Sequence, residues 1–140
     1  MRPFDTLIRL AEQELDDKRL ELARLEDILD QARAIRSGLD EELAEQQRIA
    51  AQDPSSAGTY GAYAVHMISR REDADAAIIN AERDVEAQRE VVRLAFAELK
   101  RYEITHEKRL AALKSEEDRK EQLEMDEIAQ QLNRSKDRRF

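Results

Sequence analysis

The side chains that could do chemistry in this chain are acidic pairs and two histidines. The acids occur as neighbours at Asp16–Asp17, Glu41–Glu42 and Glu116–Glu117, and the histidines are His66 and His106. Acid–base catalysis needs such groups placed around one substrate, and a zinc site needs His or Cys ligands at defined spacing. The chain has no Cys, no HExxH and no Gly-rich phosphate loop. We therefore predict that the chain has no catalytic residues, binds no metal or cofactor and is not an enzyme.

Composition indicates long helices with a narrow apolar seam. Charged residues make up 40% of the 140 residues and aromatic residues only 4%, which is too polar for a thick globular core. The chain contains three Gly and two Pro, and because these residues interrupt helices most strongly, their scarcity favours few and long elements. The polar residues would then cover a rod whose apolar stripe is buried.

Charge and hydropathy restrict the partners. The formal net charge of -8 disfavours nucleic acid, because phosphate contacts need a basic surface. No window approaches the roughly 20 apolar residues that span a bilayer, so no integral membrane segment is predicted. The N-terminus lacks the apolar run of a signal peptide, which makes a cytoplasmic location the expectation.

Heptad repeats define the first helix, predicted over about residues 3–52. One core series is Ile8, Leu15, Leu22, Leu29, Arg36, Leu43 and Ala50. The other is Phe4, Ala11, Lys18, Leu25, Ala32, Leu39 and Gln46. A third apolar stripe, which we expect to widen the buried face in the hairpin or to receive another chain, consists of Leu7, Ile28, Ile35 and Ile49.

A turn is predicted at about residues 53–58, where Pro54 pushes the preceding residue away from helical geometry. The second helix is predicted over about residues 59–136, so residues 1–140 form a single coiled-coil domain. Its first core series is Ile78, Val85, Val92, Leu99, His106 and Leu113. Its second is Tyr60, Met67, Ala74, Ala81, Gln88, Ala95 and Tyr102. The fold class is therefore all-α, a long antiparallel two-helix coiled-coil hairpin.

The two helices are predicted to differ in length. Pairing outward from the turn brings Phe4 near residues 106–108 and leaves the chain beyond about Leu113 without an intramolecular partner. Apolar residues still recur at helical spacing in this overhanging C-terminal helix, at Met125, Ile128 and Leu132. A lone helix with such a stripe is marginal in water, so we expect it to dock on another protein.

Aromatic residues cluster beside the turn. Tyr60 and Tyr63 lie at helical spacing near Met67, where a two-helix tip has little core to fill. Exposed aromatic rings there could anchor a partner, or the same rings could close the end of the hairpin. Both interpretations fit the sequence.

Two segments, one near each terminus, carry a family resemblance. Their residues are Thr6, Leu7, Leu10, Ala11, Glu12, Glu14, Asp16 and Asp17, with Met125, Asp126, Glu127, Ile128, Ala129 and Gln130. These segments resemble the flagellar export protein FliJ family of the bacterial type III export apparatus, and the length and the helix–turn–helix plan are similar to that family over essentially the whole chain. The second segment is the more specific, because it lies outside the paired heptads.

The resemblance implies a rotor-stalk coiled coil like that of rotary ATPases. It implies that the paired terminal end inserts into a hexameric export ATPase and promotes its assembly, while the other end contacts the membrane-embedded export gate. The protein would then lie at the cytoplasmic face of the inner membrane at the flagellar base. The resemblance also allows export chaperones as a further class of partner.

Carried over residue by residue, the resemblance predicts two binding sets. The ATPase-binding residues would be Leu10, Glu12, Glu14, Asp16, Asp17, Met125, Asp126, Glu127, Ile128, Ala129 and Gln130. The export-gate-binding residues would be Leu39, Tyr60, Tyr63 and Met67. The first-helix tip, which is rich in aromatic residues in enterobacterial members of the family, carries Glu42 and Gln46 here.

Two alternatives remain open from the sequence. One is the equivalent stalk protein of a virulence type III secretion system, which has the same shape and a different hexamer. The other is a generic coiled-coil scaffold or chaperone that dimerises through the stripe of Leu7, Ile28, Ile35 and Ile49.

Overall fold

The computed structural model describes residues 2–138 as two long helices joined by a short turn. Helix α1 spans Arg2–Gln52, a 3₁₀ turn spans Pro54–Ser56 and helix α2 spans Ala57–Asp137. At 1.5 Å rise per residue, α1 is about 75 Å long and α2 about 120 Å. The predicted all-α hairpin is confirmed. Helix α2 begins two residues before the predicted position 59 and ends one residue after 136.

Asp53 and Pro54 build the turn. Pro54 disfavours helical geometry at the preceding residue, which is why α1 ends at Gln52. One carboxylate oxygen of Asp53, Oδ1, accepts hydrogen bonds from the Ser55 backbone N–H at 3.1 Å and from the Ser55 hydroxyl at 2.6 Å. These bonds stabilise the turn. The chain reverses direction there, so the two helices run antiparallel.

The buried seam follows the predicted heptads. Every residue in both α1 series is buried or half-buried, and so is every residue in the α2 series from Tyr60 to His106. Leu113, the next α2 position, is 52% exposed. The fully buried residues form three clusters along the seam: Ala11, Leu15 and Leu99; Leu29, Ala81 and Val85; Leu39, Met67 and Ala74.

Polar residues lie between these clusters. Their contacts show how the charged residues Lys18 and Arg36 are accommodated at core positions. Between the first and second clusters, the side-chain amide of Gln88 donates to the backbone carbonyl of Lys18 at 3.1 Å, and Lys18 pairs with Glu14. Between the second and third clusters lies a group that we call the arginine–aspartate network, composed of Arg36, Asp40, Arg71 and Asp75. Its contacts join α1 to α2.

The third apolar stripe does not widen the buried face of the hairpin, so that prediction is wrong. Leu7 and Ile28 are 40% exposed, Ile49 is 42% exposed and Ile35 is 62% exposed. Two helices have only one shared face, and the two heptad series already fill it. The stripe therefore remains a surface of the molecule.

Candidate functional site

Pairing between the helices stops at Phe4 and His106. The two rings stack with centroids 5.5 Å apart and planes 13° apart, as predicted for Phe4. The guanidinium of Arg109 covers the Phe4 ring at 4.8 Å. From residue 107 to 138, every residue is exposed. We call residues 107–137 the extension; it is about 45 Å long at 1.5 Å per residue.

The extension carries an apolar stripe that no part of the described chain covers. Met125, Ile128 and Leu132 are 65%, 52% and 61% exposed. At about 100° per residue, this stripe lies roughly a quarter turn away from the direction in which His106 faces α1. The stripe therefore does not simply continue the hairpin seam, and a partner would approach it from a different side.

Acidic side chains surround the stripe. Asp126 accepts a hydrogen bond from the Gln122 amide at 3.1 Å, and Glu127 lies beside it in the sequence. Nearer the hairpin, the Arg119 guanidinium bonds to Glu116 and lowers the pKa of that carboxyl. At the far end the sign changes, because Arg134 and Lys136 occupy the last turn of α2, where cations favour the helix dipole.

The two halves of the predicted ATPase-binding set lie far apart. Leu10, the four acids on α1 and residues 125–130 are all exposed. However, Leu15 packs with Leu99, and Met125 lies 26 residues beyond Leu99 in the same helix, which corresponds to about 40 Å. A single partner could contact both halves only if its binding surface extended about 40 Å along the rod.

The opposite end of the rod is nearly free of charge. We call residues 46–69 the tip. In a chain that is 40% charged, the tip has only Arg48 and Asp53 as charged residues. Three exposed apolar side chains lie in it, Ile49, Val65 and Ile68, which are 42%, 69% and 53% exposed. Depletion of charge around exposed apolar groups is typical of the centre of a protein interface.

A shallow groove of about 140 Å³ opens on the tip between α1 and α2. Its lining consists of Gln46, Ile49, Ala50, Thr59, Tyr60 and Tyr63. The two tyrosine rings lie 6.4 Å apart at 38°. Burial, with the neighbouring Glu42 carboxylate, raises the pKa of Tyr63 above its usual 10.0. The groove is therefore an apolar recess with a neutral phenol at its edge.

The structure divides the predicted gate-binding set. Tyr60 and Tyr63 line the groove, and both are half-buried. Leu39 and Met67 are 5% and 0% exposed and pack together in the third core cluster. They have no surface to offer a partner, so we assign them to the core and remove them from the binding set.

The sequence prediction did not include three residues of this surface. Ile49 was placed in the third stripe, and Val65 and Ile68 lie outside the heptad series. The absence of charge between Arg48 and Arg70, apart from Asp53, is visible in the sequence. That gap was the signal that could have identified them.

The two histidines lie at opposite ends of the hairpin. His66 is exposed near the tip, and the Nε2 atom of His106 lies 3.4 Å from Asp5 at the other end. Within residues 2–138, no group of three His, Cys, Asp or Glu side chains is arranged to hold a metal ion. No helix in that range is long and apolar enough to cross a membrane.

These features define an elongated helical hairpin with an exposed apolar stripe on its extension and a charge-poor groove at its tip. The chain belongs to the flagellar FliJ protein family, whose family model matches residues 1–138. It is therefore a stalk component of the flagellar type III export apparatus, in a family whose members are not enzymes. No curated protein and no solved structure gives a significant match.

Proposed function

We propose that this chain binds the hexameric flagellar export ATPase through its extension, promotes assembly of the hexamer and links it to the membrane export gate through its tip. The observation that carries this proposal is the extension, whose apolar stripe is exposed over its whole length. A single helix of this kind gains stability when its apolar side is covered. The central opening of a ring of subunits could cover it from several directions.

The distance between the halves of the ATPase-binding set fits insertion better than lateral docking. The acids near Leu10 lie on the hairpin and Met125 lies about 40 Å further along α2. A deep socket would contact the extension inside and the acids at its rim. The acidic residues Asp126 and Glu127 favour a socket whose wall is basic.

The tip supports the second half of the proposal. A charge-poor surface with a groove between Ile49 and Tyr60 can receive an apolar side chain of the gate protein. Because the tip and the extension lie at opposite ends of a helix about 120 Å long, both partners can bind at once. Such a rod would lie in the cytoplasm and be held at the inner membrane through the gate. Export chaperones remain possible further partners.

The decisive experiment measures hexamer formation and ATP hydrolysis by a flagellar export ATPase with the full chain and with a chain truncated after Leu113. We expect the full chain to promote assembly and the truncated chain to lose this effect, since it retains the hairpin and lacks the stripe. If both have the same effect, the extension is not the ATPase-binding element. If neither has any effect at saturating concentration, the ATPase half of the proposal is refuted.

A charge-reversal pair tests the binding face within the full-length chain. Asp126→Lys with Glu127→Lys should weaken ATPase association without lowering helicity. The matched control is Asp84→Lys with Glu86→Lys, which reverses two exposed acids on the paired part of α2. Equal weakening by both pairs would indicate a general charge effect and not a specific face.

A second candidate function, a dimeric scaffold, is favoured by the exposed stripe of Leu7, Ile28, Ile35 and Ile49. These side chains follow one side of α1 over most of its length and could bury against a second copy. The scaffold predicts a stable homodimer in sedimentation velocity at micromolar concentration. A monomer at that concentration would exclude it, and the stalk proposal would be unaffected.

A further inference from the structure

The apolar seam does not by itself determine how the two helices are aligned. A heptad seam shifted by seven residues still places core positions opposite core positions. Phe4 now stacks on His106, and a shift of one heptad would place it opposite Leu113. Leu113 is apolar and 52% exposed, so the shifted pairing would also bury apolar surface.

The chain near the turn could accommodate such a shift. Gly58 and Gly61 lie in the first turns of α2, and open space surrounds the position of a Cβ atom at each. Glycine stabilises a helix less than other residues except proline, so this part of α2 is readily converted into a turn. A chain reversal a few residues after Pro54 is therefore compatible with the local sequence.

The arginine–aspartate network distinguishes between these alignments. The Arg36 side chain is only 20% exposed; its Nε donates to Asp75 at 2.6 Å and its Nη1 to Asp40 at 2.5 Å. The Nε of Arg71, a buried atom, lies 3.4 Å from the same Asp40 oxygen. Asp40 therefore serves one arginine from each helix, and Asp75 joins α2 to the arginine of α1.

A shift in either direction breaks this network. If the overlap lengthens by one heptad, Ile78 takes the place of Arg71 beside Asp40, and Glu82 takes the place of Asp75 beside Arg36. If the overlap shortens, Ile68 takes the place of Asp75 beside Arg36. Arg71 loses its aspartate of the other helix in the first case, and Arg36 loses its own in the second. Their side chains are only 36% and 20% exposed, so either loss costs more than replacing one apolar neighbour with another.

We propose that the arginine–aspartate network fixes the register of the hairpin and thereby the length of the extension. One heptad corresponds to about 10 Å at 1.5 Å per residue. A misaligned hairpin would present an extension too long or too short by that amount to any partner that binds both the hairpin and the extension. The inference concerns the hairpin alone and does not depend on the identity of the partner.

Distances between two spin labels test the register directly. The chain has no native Cys, so Gln13→Cys and Ser115→Cys, both at exposed positions, give one defined label pair across the hairpin and the extension. With the network intact, pulsed electron paramagnetic resonance should give a single distance. With Arg36→Leu and Arg71→Leu added, helicity should persist because leucine favours helix and fills the seam. A second population should appear, displaced along the axis by about 10 Å.

The control and a second variant keep the outcome decisive. Arg24→Leu removes an exposed arginine that pairs with Glu21 within one helix, and it should leave the single distance unchanged. If the double leucine variant loses helicity, Asp40→Asn decides, because it keeps both arginines and removes the charge they share. A single unchanged distance in a helical double variant, or in Asp40→Asn, would overturn the proposal.

Discussion

Phe4 and His106 stack with their ring centroids 5.5 Å apart, and this contact marks the end of the paired hairpin. On one side of it the heptad positions are buried, and on the other side every described residue of α2 is exposed. The contact joins the first turn of α1 to the point where α2 begins to run alone. It therefore marks the point where the extension starts.

We expect Phe4→Ala to loosen the first turns of α1 without unfolding the rest of the hairpin. Phe4 is half-buried and contacts both His106 and Arg109, so its loss should cost about 1–2 kcal/mol, less than a fully buried Phe. Chemical denaturation followed by circular dichroism measures the cost. Hydrogen exchange should become faster at the start of α1.

The control for Phe4→Ala is Leu20→Ala, which removes an apolar side chain that is 71% exposed on the same helix. It should change stability by no more than about 0.5 kcal/mol. Equal effects from both substitutions would mean that the stacked pair does not hold the end of the hairpin.

Two methionines contrast the core with the proposed ATPase-binding surface. Met67 is 0% exposed and Met125 is 65% exposed. Met67→Ala should destabilise the hairpin by about 2–4 kcal/mol, because it leaves a cavity among Leu39 and Ala74. Met125→Ala should cost less than about 0.5 kcal/mol and weaken ATPase association. Thermal unfolding of the two variants gives the comparison, and a stable Met67→Ala variant would contradict the assignment of this residue to the core.

Heptad periodicity was enough to predict which residues of α1 and α2 are buried, since a two-helix seam obeys one simple geometric rule. The roles of exposed residues did not follow from it. Leu39 and Met67 were predicted to bind a partner, yet both stand at core positions of the heptad series and both are buried. Family resemblance predicted gate binding near the tip, but only the packing shows which side chains point outward there.

Polar core positions were the second gap in the sequence prediction. Lys18 and Arg36 fall on core heptad positions, and sequence alone does not reveal their partners. The Lys18 ammonium pairs with Glu14 of the same helix, while its backbone carbonyl accepts a hydrogen bond from the Gln88 side chain across the seam. Arg36 bonds to Asp75 across the seam. The contacts across the seam depend on the alignment of the two helices, which a repeating pattern leaves ambiguous.

Acid should weaken the hairpin partly through Asp40. The hydrogen bond from Arg36, with the nearby charge of Arg71, lowers the pKa of Asp40 below its usual 3.8. A carboxyl whose pKa is lowered in the folded state contributes stability above its unfolded pKa and loses it as the pH falls through the folded value. The melting temperature of Asp40→Asn should therefore lie below that of the native chain at neutral pH, and the gap should narrow below pH 3.8.

Other carboxyls titrate in the same pH range, but they are present in both proteins. The difference between the native chain and Asp40→Asn therefore isolates the contribution of Asp40. Asp27→Asn, at an exposed position of the same helix, is the control and should show no such narrowing. A gap between Asp40→Asn and the native chain that stays constant down to pH 2 would contradict the role of this ion pair.

The tip offers a test of gate binding that does not disturb the fold. Ile49 is 42% exposed at the edge of the tip groove, in the last turn of α1, where a lysine would favour the helix dipole. Ile49→Lys should therefore leave helicity and melting temperature unchanged. It should weaken binding to the cytoplasmic part of the gate protein by about tenfold or more, because it places a charge at the edge of an apolar groove.

The matched variant is Ile79→Lys, at an isoleucine that is 50% exposed on the paired part of α2 outside the tip. It adds the same charge and removes the same apolar group, so any general effect of charge on association would appear in both variants. Calorimetric titration of the gate domain with each variant gives the two affinities. A loss of affinity confined to Ile49→Lys would locate gate binding at the tip groove. Equal affinities for the two variants would place the gate contact elsewhere on the rod. Neither result bears on ATPase binding by the extension, which is tested separately.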